Sequence, residues 1–234
     1  MTIQKSDIVP ILQHITHQKC EYTLLRPENL IDQPNSYSDV DLCMRPEVMP
    51  EFIRYLTTYA EAKGASVETK QWGPFATAVA ITQDHQAPIK LDIQTRIAWR
   101  GFTVFYYNDL SATTVSRNDI RHVDKQHGDV IVFVKELFGY GTLRKKSQWW
   151  PDFVQHVEKQ PNIYRTILVN HVFMFLTKSL IDRIHTGDRL WIENHKLLLQ
   201  GVFIATQLTR RPFASISGHL QWWALKMAHW TRAR

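Results

Sequence analysis

The chain has 234 residues, 44% of them hydrophobic and 21% charged, which excludes a disordered, collagen-like or disulfide-dense protein. Its two cysteines, Cys20 and Cys43, have no metal-binding spacing and form no disulfide framework, as is typical of a reducing compartment. The net charge of +6 is unevenly divided: residues 1–143 carry 14 Lys and Arg against 17 Asp and Glu (net −3), and residues 144–234 carry 14 against 5 (net +9).

The first half of the chain alternates between helical and strand-like patterns. Apolar residues at helical spacing predict a helix that includes Ile8 and Ile15. Strands are predicted at 21–26 and 39–44, on either side of a polar loop, and a helix then runs to about Lys63, where Gly64 ends it. Three further strand-like runs, joined by turns short enough for hairpins, cover residues 65–72, 75–82 and 89–99.

From Gly128 onward the hydrophobic period is helical. Helices are predicted over residues 129–141, 163–185, 189–208 and 214–231, with a basic run at 143–146. The sequence therefore predicts two domains, an α/β domain at 1–125 and an all-helical domain at 126–234.

The N-terminus lacks the apolar core of a signal peptide. No apolar run approaches the roughly 18–20 residues that a bilayer-spanning helix needs. The expectation is a soluble cytoplasmic protein, with the inner face of the membrane as a second location.

Three aspartates carry the chemistry predicted from the sequence. Asp39 and Asp41 are two positions apart in a predicted strand, so their carboxylates point to the same face. Like charges this close repel unless a cation lies between them, and Mg²⁺ is typically held by one or two carboxylates plus substrate phosphates. Asp92, in a later strand, supplies a third carboxylate, and three converging carboxylates are enough for a site that binds two metal ions. An ion pair with Lys90 is an alternative role for Asp92.

The order YTLLR, polar loop, SDVDL, helix, paired strands and IKLDI, over about residues 20–100, resembles the minimal core of the DNA polymerase β-like nucleotidyltransferase superfamily. The resemblance implies an α+β fold with a mixed sheet flanked by helices, followed here by the helical part. It also implies that Asp39 and Asp41 are the active-site pair and Asp92 the third metal carboxylate. The implied cofactor is Mg²⁺ or Mn²⁺.

In that superfamily a Gly-Ser pair before the aspartates normally cradles the triphosphate, whereas this chain has no glycine between Tyr22 and Gly64. Ser36 and Ser38 are the hydroxyl donors predicted to substitute for it. Arg26, at the end of the first strand, is a predicted phosphate ligand because charge on the transferred group must be neutralised. Further predicted phosphate ligands are Lys135, Arg144 and Lys145.

Two later segments, IAWRG (97–101) and VKELFGYGTLRKK (134–146), are similar to nucleotidyltransferase-like regions of bacterial surface-polysaccharide gene clusters. Such a region can precede a thymidylate-kinase-like P-loop domain. This chain contains no G-x-x-x-x-G-K-[ST], so a kinase-like domain would belong to a partner protein or to another part of a longer chain.

The last predicted helix carries apolar residues at spacings of 4, 3, 4 and 3, which indicate a seam that packs on another helix. This seam comprises Ile216, Leu220, Trp223, Met227 and Trp230. Basic and aromatic residues broaden the surface, namely Trp222, Lys226, His229, Arg232 and Arg234. Two interpretations are open: packing into the core, or docking to an anionic membrane surface or a partner protein.

The sequence thus predicts a metal-dependent nucleotidyltransferase that moves an NMP group from an NTP to an unknown acceptor in surface-polysaccharide synthesis. Asp39 and Asp41 would bind the metals, and Asp92 would complete the second site and help to deprotonate the nucleophile. The alternative, favoured by the missing Gly-Ser pair, is an inactive binding or scaffolding module of the same fold. No motif for sequence-specific nucleic-acid binding is found.

Overall fold

The structure is a computed structural model and describes residues 3–17, 21–27, 30, 39–84, 86–140 and 149–232. The chain forms two compact units: Met1–Ile97 with Phe105–Asp124, and Ala98–Val104 with Lys125–Arg234. The second unit thus includes residues 98–104, which the sequence analysis assigned to the first domain. The predicted fold class is confirmed, because the protein is α+β with a mixed sheet, flanking helices and a helical C-terminal region.

In the part of the chain described, seven strands form one mixed sheet in the order β3-β4-β5-β2-β1-β9-β8, and β6 pairs with β7 in a separate hairpin. In chain order the strands are β1 (Tyr22–Leu24), β2 (Val40–Met44), β3 (Ser66–Gly73), β4 (Ala76–Thr82), β5 (Ile89–Gln94), β6 (Arg96–Trp99), β7 (Phe102–Tyr106), β8 (Thr114–Arg117) and β9 (Ile120–Val123). The neighbours β2 and β5 are parallel, which brings together the two strands that carry the predicted site carboxylates.

The helices are α1 (Ile8–His17), α2 (Met49–Glu61), α3 (Tyr107–Ser111), α4 (Lys125–Val134), α5 (Trp149–Lys159), α6 (Pro161–Ile167), α7 (Thr177–His185), α8 (Arg189–Asn194), α9 (Lys196–Arg210) and α10 (Pro212–Arg232). A short 3-10 helix (Lys5–Asp7) precedes α1, and π-helical segments follow α4 (Lys135–Tyr140) and α6 (Leu168–Val172). The first three helices belong to the first unit and the others to the second.

Helices α1 and α2 cover one face of the sheet. Side chains alternate between the two faces of a strand, and the aliphatic residues of the central strands are buried with residues of both helices. This core includes Leu12, Phe52, Leu56, Val40, Leu42, Leu91 and Ile93. Because Asp41 and Asp92 alternate with these residues, they lie on the opposite face.

In the second unit, α10 is fixed to the β6–β7 hairpin. Arg100 and Gly101 form its two-residue turn, and both have positive φ (49° and 87°), as a type I′ turn requires. A Cβ atom at Gly101 would overlap the backbone carbonyl of Gly218 on α10. Nearby, Nδ1 of His219 lies 2.8 Å from the carbonyl oxygen of Arg100. One side of α10 therefore packs on backbone at very close range.

The predicted helix over 163–185 is wrong, because the chain breaks between the π-helical segment and α7. Phe173 has an extended conformation and Leu176 has a φ of +65°. Side chains from α9 satisfy the backbone groups near this break: Met174 N–H donates to Thr206 Oγ1 at 2.9 Å, and Gln207 Nε2 donates to the His171 carbonyl at 2.8 Å. A periodic pattern read locally does not contain these distant partners.

The predicted strand over 89–99 also divides. After Gln94 the chain leaves the large sheet, and Thr95 N–H donates to the Phe75 carbonyl at 2.9 Å. Residues from Arg96 onward then pair with β7. The elements β7, α3, β8 and β9 were not predicted from the sequence.

Candidate functional site

Two of the predicted site carboxylates are neighbours across a strand pair. Asp41 in β2 is the register partner of Asp92 in β5. Register partners project from the same face of a sheet, and neighbouring strands are about 4.8 Å apart. Asp39 directly precedes β2, two residues before Asp41. The three aspartates therefore lie in the same region of the first unit, while their catalytic role stays a prediction.

The central carboxylate already has a protein cation as its partner. Asp41 is only 2% exposed, and its Oδ2 accepts hydrogen bonds from both Nε and Nη2 of Arg26, the former at 2.6 Å. Arg26 reaches this position because β1 and β2 are antiparallel neighbours, so the end of β1 lies beside the start of β2. The pair is a charge-assisted hydrogen bond between a buried carboxylate and a guanidinium that is 26% exposed.

A second cation, Lys5, lies close to the same charges. Burial lowers the pKa of Lys5 below its ordinary value, and Arg26 adds to this shift, whereas Asp39 and Asp41 oppose it. The four side chains therefore interact electrostatically, two cations with two carboxylates. The sequence analysis missed Lys5, because nothing local connects the first residues of the chain with a strand that begins at Val40.

The sheet face around the carboxylates is closed on one side and partly open on the other. On the closed side, Thr23 and Cys43 are fully buried, and burial raises the pKa of the Cys43 thiol to about 12. On the other side, Asp92 pairs with Ala78 of β4 and is half-buried, like that alanine.

The described residues, as arranged, do not fit a divalent metal ion. Mg²⁺ and Mn²⁺ bind accessible carboxylate oxygens, whereas Asp41 is buried and its Oδ2 is occupied by Arg26. Among the residues described, no group of three or more His, Cys, Asp or Glu side chains could hold a metal ion. The cofactor stays a prediction, and no catalytic step is derived from it.

The predicted phosphate ligands are only partly brought together. Arg26 lies at the carboxylates, as expected from its place after β1. Lys135 is half-buried in the π-helical segment of the second unit. Ser36, Ser38, Arg144 and Lys145 lie outside the described residues, so their predicted roles are not tested.

The sequence analysis also missed a polar cluster in the second unit. Asp129 on α4 is buried and accepts hydrogen bonds from Lys125 Nζ at 2.6 Å and Tyr164 Oη at 2.6 Å. Nδ1 of His156 lies 3.0 Å from Oδ2 of Asp129, the oxygen that also accepts from Tyr164, whereas Lys125 donates to Oδ1. The signal was the spacing of Lys125 and Asp129, four residues apart, but the predicted helix began only at residue 129. The cluster joins α4, α5 and α6.

Two surface pockets are lined by residues other than the three aspartates. One, of about 430 Å³, is lined by residues of α1 and α2 that include His14 and Tyr55. The other, of about 450 Å³, lies in the second unit and is lined by residues that include His127 and His171. Neither pocket contains a residue predicted to act on a nucleotide.

The seam predicted on the last helix is exposed. Ile216, Leu220, Trp223 and Met227 are each at least 50% exposed. The core-packing interpretation is therefore wrong for these four residues, because the side of α10 that packs on the unit is a different one. The side chain of Trp230 and residue Arg234 lie outside what the structure describes.

Comparisons with protein-family models, with curated proteins and with solved structures find no match to this chain. Within the described residues, none of the helices combines the length and the apolar character needed to cross a membrane.

Proposed function

We propose that the first unit is a nucleotidyltransferase-type fold that serves as a non-catalytic binding or scaffolding module. The observation that carries this proposal is the ion pair between Arg26 and Asp41. It gives the central carboxylate of the predicted site a cation that belongs to the protein itself.

The electrostatic argument concerns the cost of burying charge. Transferring a carboxylate from water into a protein interior costs several kcal/mol, and a nearby cation with good hydrogen-bond geometry offsets this cost. The guanidinium of Arg26 supplies such a cation, and Lys5 adds a second positive charge near Asp39 and Asp41. These carboxylates therefore have positively charged neighbours that belong to the chain itself.

A second and independent observation agrees with this proposal. The chain has no glycine between Tyr22 and Gly64, so the Gly-Ser pair that cradles a triphosphate in the superfamily is absent. The ion pair of Arg26 with Asp41 concerns the predicted metal site, whereas the missing Gly-Ser pair concerns the predicted phosphate site.

A second candidate function is metal-dependent nucleotidyl transfer from an NTP to an acceptor of surface-polysaccharide synthesis. It is favoured by the register of Asp41 with Asp92, because two carboxylates on one sheet face destabilise a fold that has no use for them. This candidate requires Arg26 to leave Asp41 so that the carboxylate becomes accessible.

Calorimetric titration distinguishes the two candidates. The full chain is titrated with ATP, GTP, CTP and UTP at up to millimolar concentration, with and without Mg²⁺, and pyrophosphate release is assayed in parallel. The variants are Arg26→Gln, which removes the guanidinium from the Asp41 carboxylate, and Asp92→Asn, which removes the neighbouring charge. For a non-catalytic module we expect neither Mg²⁺-dependent nucleotide binding nor pyrophosphate release in any of the three proteins.

The opposite result has a specific form. Mg²⁺-dependent binding of one nucleotide, strengthened or unchanged in Arg26→Gln and lost in Asp92→Asn, would establish the second candidate and end the first. Circular dichroism of both variants shows that a negative result comes from a folded protein.

A further inference from the structure

The outer side of α10 carries a continuous apolar surface, which we call the outer stripe: Phe213, Ile216, Leu220, Trp223 and Met227. Successive members are three or four residues apart, so they lie along one face of the helix. Phe213 is 88% exposed, and the other four are each at least 50% exposed. Contiguous exposed apolar surface of this kind marks an interaction site.

The outer stripe points outward because the opposite side of the same helix is fixed. Ser215 is buried, and its Oγ donates to the Gln207 carbonyl of α9 at 3.0 Å. Gly218 meets the backbone of Gly101, and the ring of His219 lies 5.0 Å from that of Phe102. These contacts, all within the second unit, leave each member of the stripe at least 50% exposed, although Trp223 Nε1 donates to His219 Nε2 at 3.0 Å, so binding there requires no unfolding.

The charge around the stripe has one sign. Residues 194–234 contain six Lys and Arg and no Asp or Glu. Lys226 is exposed on α10 itself, with its Nζ 5.9 Å from the centre of the Trp222 ring. A surface that combines apolar and aromatic side chains with cations alone is complementary to a surface that is both apolar and anionic.

These features favour a bilayer surface over a second copy of the chain. Two copies meeting through their outer stripes would bring together two segments of the same positive charge. The contacts of Ser215, Gly218 and His219 with the rest of the second unit hold the first half of α10 on the opposite side from the stripe.

We propose that the outer stripe of α10 docks the protein on an anionic phospholipid bilayer, with apolar side chains entering the headgroup region and basic side chains contacting lipid phosphate. The helix lies parallel to the bilayer surface and does not cross it. This inference concerns the second unit only, so it is independent of the function proposed for the carboxylates.

Co-sedimentation of the full chain with vesicles tests the proposal. Vesicles of phosphatidylcholine with roughly one third phosphatidylglycerol are compared with pure phosphatidylcholine vesicles. The test variant is Leu220→Gln/Trp223→Gln, and the matched control is Leu190→Gln, which changes an exposed leucine on α8. We expect the test variant to lower the partition coefficient at least about tenfold, because burying each apolar side chain contributes more than a factor of ten. The control is expected to leave it unchanged.

Two further readouts concern the role of charge and the wild-type chain. Lys226→Gln should weaken binding to anionic vesicles about fivefold, and raised salt should weaken it further. Hydrogen exchange of the wild-type chain should slow over residues 213–227 when anionic vesicles are added.

Either of two results overturns the proposal. One is the absence of binding to anionic vesicles, or binding that Leu220→Gln/Trp223→Gln leaves intact. The other is a defined oligomer in solution that this variant dissociates while vesicles have no effect, which would assign the outer stripe to a second copy of the chain.

Discussion

Asp41 in the first unit and Asp129 in the second are both almost completely buried, but their neighbours differ in kind. The partners of Asp129 described above are all donors: Lys125 and Tyr164, with the His156 ring nitrogen beside them. Asp41 also has a donor, Arg26, but its register partner is another carboxylate. Hydrogen-bond donors around a buried carboxylate are expected in any folded protein, because buried polar groups are hydrogen-bonded. A second carboxylate beside it has no such explanation. The comparison therefore separates a structural aspartate from one whose surroundings still resemble a ligand site.

The largest expected effect is on the structural aspartate. Asp129→Ala removes the carboxylate that the Tyr164 hydroxyl, the Lys125 ammonium and the His156 ring contact, so we expect the second unit to lose about 3–5 kcal/mol of stability. Urea unfolding followed by tryptophan fluorescence measures this, because Trp72 is the one tryptophan outside the second unit. Tyr164→Phe removes a single hydrogen bond and is expected to cost only about 1 kcal/mol. Equal losses in both variants would contradict the account of the cluster.

A smaller loss is expected at the first carboxylate. From the sequence alone, Asp41→Asn is predicted to relieve repulsion between carboxylates, but the ion pair with Arg26 reverses this expectation. We expect Asp41→Asn and Arg26→Met each to lower the stability of the first unit by about 1.5–3 kcal/mol. The double variant should lose less than the sum of the two, which a double-mutant cycle in urea measures by circular dichroism. Additive losses would show that the two side chains do not interact.

Asp92→Asn is the matched control for Asp41. Asp92 is half-buried, and its replacement removes a like charge next to Asp41. We therefore expect a change in stability of less than about 1 kcal/mol. A loss as large as that of Asp41→Asn would remove the distinction between the two carboxylates and with it the support for a ligand site.

The glycines allow a similar comparison for α10. Gly101 and Gly187 both have positive φ, but an added Cβ at Gly187 meets nothing, whereas at Gly101 it meets the Gly218 backbone. Gly187→Ala should cost about 1–2 kcal/mol for the backbone conformation alone. Gly101→Ala should cost more and should speed hydrogen exchange in α10. Equal losses of stability in the two variants would show that the close approach of the hairpin to α10 does not affect stability.

The smallest expected effect is on the reactivity of the Cys43 thiol. With its pKa raised to about 12 by burial, the Cys43 thiol remains protonated in the folded protein at pH 8–9, where an unfolded thiol begins to ionise. In a Cys20→Ser background, modification by a thiol reagent should be slow without urea and fast in urea. Because the pKa of the Cys43 thiol is higher in the folded than in the unfolded protein, its burial as a neutral thiol favours the folded state most below the unfolded pKa. This contribution to the free energy of unfolding is lost as the pH rises from the unfolded pKa towards 12. Fast modification of the folded chain would show that the closed side of the sheet face opens.

The sequence predicts those parts of the fold that are determined by local patterns. Helices α1 and α2 and the strands from β1 to β5 follow from apolar periodicity and from turn residues such as Gly64. The register of Asp41 with Asp92 agrees with the expectation that these carboxylates lie on one sheet face. In contrast, α3, β8 and β9 are short elements of four or five residues that were not predicted, and β7 was missed although its sequence FTVFY is typical of a strand.

The features that were missed depend on partners distant in sequence. The break before α7 is satisfied by Thr206 and Gln207, and the neutralisation of Asp41 depends on Arg26 and Lys5, none of which a local window contains. The side of α10 that packs inward could not be identified, because the contact at Gly218 comes from a hairpin more than a hundred residues earlier.

That hairpin also determines the order in which the protein can fold during synthesis. The Arg100 carbonyl lies next to His219, 119 residues later, and translation adds roughly 5–20 residues per second. Residues 98–104 therefore wait on the order of ten seconds after their synthesis before the helix that covers them exists. Until then Trp99 and Phe102 lack their contacts with Phe203, so a nascent chain paused before α9 exposes apolar side chains that chaperones bind.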